Sequence, residues 1–119
     1  MTVSAICTQN AEHYTWGDNC DGWHLVKTPQ LSVIQERMPS GTHEAKHFHH
    51  HAEQFFYVLE GIATMRCDEQ SFELGPNQGI HIPAGKLHQL ANCHDQVLIF
   101  TVTSTPPSHG DRVNATASS

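Results

Sequence analysis

Gly41-Thr42-His43-Glu44-Ala45-Lys46-His47-Phe48-His49 opens a stretch that runs through His50-His51-Ala52-Glu53-Gln54 and Phe55-Phe56-Tyr57-Val58-Leu59-Glu60 to Gly61. Residues i and i+2 of a strand face the same side, so His47 and His49 point one way and Phe48 the other. By the same alternation Gln54, Phe56 and Val58 share a face, opposite Phe55, Tyr57 and Leu59. Two imidazoles one residue apart need only further donors to make a metal site, since neutral histidine nitrogens suit transition-metal ions. A third imidazole lies downstream in Pro83-Ala84-Gly85-Lys86-Leu87-His88, with Asn92 beyond it.

Outward from this stretch the chain reads as short strands and turns. Leu31 to Met38 alternates, with Ile34, Glu36 and Met38 on one face and Leu31, Val33 and Arg37 on the other; Pro39-Ser40-Gly41 ends it. Gln54 to Leu59 is rich in aromatic and branched residues and turns at Glu60-Gly61 into Ile62 to Cys67, a hairpin. Phe72 to Leu74 and Ile80-His81-Ile82 are further short strands, His88 starts another, and Gln96 to Thr103 is the last. His13 to Trp16 and Trp23 to Val26 read as strands joined by Gly17-Asp18-Asn19-Cys20-Asp21-Gly22. Residues from Ser108 on are small and polar and are expected to fray or wrap the surface. No helix beyond a turn or two is suggested, and so many short strands in a small domain indicate a sandwich or barrel.

With 119 residues the chain makes one domain, able to fold without staples. Six Lys and Arg against 12 acidic residues give a net charge of -6, and the basic residues are scattered, so nucleic-acid binding is not expected. The four cysteines, Cys7, Cys20, Cys67 and Cys93, form no C-x-x-C pair and are expected to be free thiols. No leader pattern or membrane-length apolar run is present, so no membrane association is expected and a cytoplasmic location is the default reading.

Written with their spacings, the histidine segments are Gly41-(x)5-His47-x-His49-(x)4-Gln54-(x)6-Gly61 and Pro83-x-Gly85-(x)2-His88-(x)3-Asn92. Together they resemble the two motifs of the cupin superfamily, G(x)5HxH(x)3-4E(x)6G and G(x)5PxG(x)2H(x)3N, over roughly residues 31 to 103. The resemblance implies an all-β small jelly-roll barrel, or double-stranded β-helix. One domain would span 1–119, with N-terminal strands in 1–30, a core barrel over about 22–104 and a C-terminal tail over 108–119. It also implies one divalent transition-metal ion (zinc, nickel, iron, manganese or copper) held by His47, His49, Gln54 and His88.

Two positions depart from the pattern. The family's ligand Glu is replaced by Gln54, with Glu53 one position earlier. Gln54 is read as an oxygen ligand through its amide carbonyl; the alternative is a hydrogen-bonding residue behind the ligands, with water, Glu53 or His51 completing the sphere. Three imidazoles and an amide bring no negative charge, so a divalent ion would be a stronger Lewis acid. Asn77 stands at the opening glycine of the second motif, where asparagine tolerates positive φ.

Some cupins carrying HxH, Gln and His, including small uronate-processing isomerases, act on sugar-derived carbonyls, whereas other three-histidine cupins are dioxygenases or polyketide cyclases. The resemblance therefore implies a metal-dependent monocupin acting on a small oxygen-bearing molecule, first by isomerisation or enolisation of a carbohydrate-like substrate. A non-haem metal dioxygenase and a non-catalytic module binding metal or a small ligand are the alternatives. No residue declares itself as catalytic acid or base. A homodimer is expected, since small jelly rolls leave sheet faces and edges to cover.

Other residues carry weaker expectations. His81 should face outward, and would approach a metal only if Ile80 and Ile82 packed outward instead. His50 and His51 belong to a solvated rim, with substrate contact or metal ligation as the alternative. Glu53 and Tyr57 should point away from the interior. One of Glu36 and Arg37 should enter it, an inward Arg37 favouring an anionic substrate. Trp16 and Trp23 read as core or dimer-contact surface, and His24 and His109 as non-ligands.

Overall fold

The computed structural model describes residues 3–108 and 110–115; His109 and the last four residues of the tail lie outside the described residues. Eleven strands follow in chain order. They are β1 (Glu12–Trp16), β2 (Cys20–Lys27), β3 (Ser32–Met38), β4 (His47–His49), β5 (Glu53–Glu60), β6 (Ala63–Cys67), β7 (Gln70–Leu74), β8 (Gly79–Ile82), β9 (His88–Ala91), β10 (Leu98–Thr105) and β11 (Arg112–Asn114). No helix occurs among the described residues, so none is long and apolar enough to cross a membrane. A six-stranded sheet in the order β1-β2-β3-β10-β5-β8 faces a five-stranded one in the order β11-β4-β9-β6-β7, and all pairs are antiparallel. This is the jelly-roll barrel expected from the sequence.

Alternation decides what enters the barrel. On β10, Leu98, Phe100, Val102 and Ser104 are buried, while Ile99, Thr101 and Thr103 are only partly so. Leu98 pairs with Met38; Phe100 lies between Glu36 and Val58; Val102 lies between Ile34 and Phe56; Ser104 lies between Ser32 and Gln54. The interior thus passes from apolar at the Leu98 end to polar at the Ser104 end. Met65 and Leu90 from the facing sheet complete the apolar end. The ambiguity in β3 resolves with Ser32, Ile34, Glu36 and Met38 toward the interior.

Three segments differ from the sequence reading. The last long strand begins at Leu98 rather than Gln96, because the Gln96 carbonyl accepts a hydrogen bond from the buried Asn92 amide at 2.8 Å and closes a turn first. The C-terminal segment also carries a strand. Arg112, Val113 and Asn114 pair with His49, Phe48 and His47, satisfying backbone groups along β4 that would otherwise form an open edge. Asp111 fastens this strand, its carboxylate accepting the amide protons of His51 and Ala52 at 2.8 Å each. Cys20, expected in a turn, opens β2 and is fully buried; all four cysteines are free thiols. Asn77 has φ 66, so it fills the position of the motif glycine in the conformation that glycine would adopt.

Candidate metal centre

The two histidine motifs meet through one backbone pair, His47 opposite His88. A hydrogen bond from the Gly85 amide to the His49 carbonyl, at 2.7 Å, docks the Pro83-Ala84-Gly85 bend against β4. Gly85 has φ 81, a left-handed conformation that favours glycine, which explains its place between Pro83 and His88. Asn92 anchors the other end of the motif, donating to the carbonyls of Met38 and Gln96 and accepting from the His94 amide.

The result is a cluster in which His47, His49 and His88, all buried, bring their potential ligand atoms within 4.8 Å of one another. Ring centroids are 4.4 Å apart for His47 and His88 and 4.9 Å for His47 and His49. Backbone carbonyls set two of the rings. Nδ1–H of His47 donates to the Ala45 carbonyl at 2.7 Å and Nδ1–H of His88 to the Lys86 carbonyl at 2.9 Å, so each Nε2 is the unprotonated nitrogen that a metal requires. Burial pushes the His47 imidazole down to about 3, with His88, Arg112 and His49 adding to the effect. Burial also lowers His49 and His88, which favours in them, as in His47, the neutral form that binds a metal.

Gln54 faces the same space. Its Nε2 donates to the buried Ser104 hydroxyl at 3.0 Å, leaving Oε1 as the group presented to the interior. Nε2 of His88, both ring nitrogens of His49 and Oε1 of Gln54 are buried without a hydrogen-bond partner. Unpaired buried polar atoms cost about 1–3 kcal/mol each, so three lone-pair atoms brought together, one each from His49, Gln54 and His88, call for an occupant. A cation accepting nitrogen and amide-oxygen donors fits them, and the three histidines can hold a metal ion.

His47, His49 and Gln54 lie in the wall of a cavity of about 270 Å³ that also takes side chains from outside the two histidine motifs. Glu36, rather than Arg37, enters it. Tyr14 reaches Glu36 because Gly22 stands between them: Tyr14 pairs with Gly22 and Gly22 with Glu36, and a Cβ at Gly22 would collide with the Tyr14 ring. The Tyr14 hydroxyl donates to Glu36 Oε2 at 3.1 Å. Desolvation nevertheless pushes the Glu36 carboxyl up to about 7. Glu44 is pushed up to about 8, first by burial and then by the Glu36 charge, against the Leu90 amide that donates to it at 2.9 Å. Arg112 and Trp16 also line the cavity.

The remaining candidates lie elsewhere. Arg37 is engaged by Asp21 at 3.1 Å. His81 is exposed on the outer face, paired with Glu53 at 2.8 Å, so neither reaches the cluster. His50 and His51 are exposed at the rim. The two tryptophans separate, Trp16 toward the cavity and Trp23 against the His13 ring. Spacing could have flagged Glu44, three residues before His47. Nothing local marks Tyr14 or Arg112, which arrive through strand pairing.

Residues 34–104 match the cupin domain family, more than half of the chain. The chain belongs to the cupin family. An uncharacterized protein of Methanocaldococcus jannaschii is 30% identical to this cupin over 89 residues, 74% of this chain and 71% of that protein. A quercetin 2,3-dioxygenase of Bacillus subtilis is 36% identical over 59 residues, 50% of this cupin but only 18% of the dioxygenase. Among solved structures, a sugar phosphate isomerase of the cupin superfamily from Silicibacter pomeroyi superposes with a TM-score of 0.74 at 22% identity, over 86% of this chain and 75% of that one.

Proposed function

We propose that this cupin is a metal-dependent enzyme that moves a proton beside the carbonyl of a small, carbohydrate-like molecule, an enolisation leading to isomerisation. The observation that carries the reading is a cluster of three buried histidines with the Gln54 amide oxygen, and a desolvated carboxyl, Glu36, in the cavity that His47, His49 and Gln54 line. His47, His49, His88 and Gln54 would hold one divalent transition-metal ion, which when bound withdraws electron density from a substrate carbonyl and acidifies the neighbouring C–H. Glu36 takes that proton and returns it to the adjacent carbon. A base near neutrality is suited to both transfers, and burial brings the Glu36 carboxyl up to about 7. Tyr14 holds the carboxyl in place through its hydroxyl. The isomerase with a similar barrel agrees with this chemistry at the level of its name.

The test combines composition and exchange. Elemental analysis of the full chain, purified without an affinity tag, is expected to find about one equivalent of a transition metal, reduced in Gln54→Ala. In D2O without oxygen, the protein is expected to place deuterium beside the carbonyl of aldoses or ketoses, and Glu36→Gln to lose this exchange while keeping its metal. Oxygen consumption with no exchange would replace isomerisation by oxygenation. A protein that refuses iron, nickel, manganese and zinc alike would be a binding module.

A further inference from the structure

We infer that Arg112 anchors a negatively charged group, a carboxylate or a phosphate, on the molecule this cavity takes. The inference rests on the proposed function only in treating the cavity as the substrate site. Residues opposite one another on paired strands face the same side, and Arg112 pairs with His49, so β11 directs its guanidinium toward the histidine cluster. Arg112 lines the cavity with His47, His49, Gln54 and Glu36.

The charge of Arg112 is uncommitted. Among the described residues no carboxylate pairs with it. Its Nε donates to Asn114 Oδ1 at 2.9 Å and its Nη2 to the Ala45 carbonyl at 3.4 Å, both neutral oxygens. By contrast Lys27, Arg37 and Lys86 are each paired with an acid at the surface. Glu36 and Glu44 line the same cavity and act on Arg112 only through space, with no ion pair to it among the described residues. A planar guanidinium with unused N–H groups matches carboxylate and phosphate oxygens in a two-pronged geometry. Asn114, which pairs with His47, and the Ala45 carbonyl hold the fork in place.

Arg112 also lies outside residues 34–104. The family barrel supplies the histidines and Gln54, whereas the cation comes from a strand beyond that match. Substrate charge is therefore selected by an edge strand of the barrel that lies outside the family match.

Titration of the full chain with glucuronate, glucose 6-phosphate and glucose, followed through the backbone amide resonances of Phe48 and Val113, tests the inference. Metal content is measured on every sample. At least one anionic sugar is expected to bind saturably and glucose much more weakly, and the favoured anion identifies the group. Arg112→Gln should weaken that binding about tenfold or more, the effect of losing a charge-assisted pair, and Arg112→Lys should recover part of it. Unchanged amide resonances of β4 in the variants show that β11 stays in place. Equal binding of glucose, undiminished anion binding by Arg112→Gln, or no binding of either anion overturns the inference. Metal content and deuterium exchange report on the proposed function separately, so an anion site can stand where proton transfer fails, and the reverse.

Discussion

The two ends of the barrel interior are both lined by buried side chains and are chemically opposite. At one end Met38, Val58, Met65, Leu90, Leu98 and Phe100 are each 1% exposed or less. At the other, Ser32, His47, His49, Gln54, His88 and Ser104 are buried to at least 93%. The same strands supply both: β5 changes from Val58 to Gln54, and β10 from Leu98 to Ser104. Burial of apolar surface contributes roughly 25 cal/mol per Å², while unpaired buried polar atoms oppose folding. The apolar end therefore holds the barrel together and the polar end loads it.

The largest effect should come from the apolar end. Phe100 lies between Glu36 and Val58 and contacts the Phe56 ring at a centroid distance of 6.1 Å. Phe100→Ala is expected to cost about 3–5 kcal/mol in urea unfolding, the usual range for a buried phenylalanine. A loss below about 1 kcal/mol would show that stability does not reside there.

Next in size is the response of the polar end to metal. A ligand that binds only the folded chain at 100 times its Kd stabilises it by about 2.7 kcal/mol. Wild-type protein is expected to gain this on metal addition and to lose it again with a chelator, as followed by Tm. His88→Ala should abolish the gain while costing the metal-free protein less than Phe100→Ala does. The imidazole removed carries a desolvated, unpaired Nε2, so part of the lost packing is offset. An undiminished metal response in His88→Ala would remove His88 from the ligand set.

The contrast between the two ends was legible in the sequence where it rests on local spacing. His47, His49, Gln54, Phe56 and Val58 declare their faces by alternation, and the bend at Pro83 and Gly85 places His88. Less legible were the groups that reach the cavity by pairing between distant segments. Tyr14 meets Glu36 only because β1, β2 and β3 lie side by side with Gly22 between the two side chains. Arg112 belongs to a three-residue strand whose composition resembles a surface tail, and what makes it a strand is the edge of β4, not its own propensity. Arg37 and Glu36 are neighbours of opposite facing, and alternation alone could not say which face was inside; the pairing of Glu36 with Phe100 decides it.

The smallest expected effect is a pH dependence that separates carboxyl from imidazole. Glu36 holds its proton up to about 7 in the fold, against 4.5 for an ordinary glutamate. Folding therefore takes up a proton between those values, and stability from this group, full below about 4.5, is lost as pH rises through about 7. His47, lowered from 6.5 to about 3, acts in the opposite sense: its contribution is present above 6.5 and is lost as pH falls toward 3. In chelator-treated protein, Glu36→Gln should remove the first dependence, leave that of His47, and weaken that of Glu44, which the Glu36 charge helps to raise. The stability difference between variant and wild type should move in the variant's favour from pH 4.5 to about 7 and then level off, with Glu44 keeping a residual slope that burial alone sustains in the variant. Glu36 keeps some solvent contact through the cavity, so the slope should be a fraction of the ~1.4 kcal/mol per pH unit that one fully linked proton gives. A difference that does not change with pH would mean that the carboxyl is not desolvated, and the boundary between the polar and apolar ends would then lie deeper than Glu36.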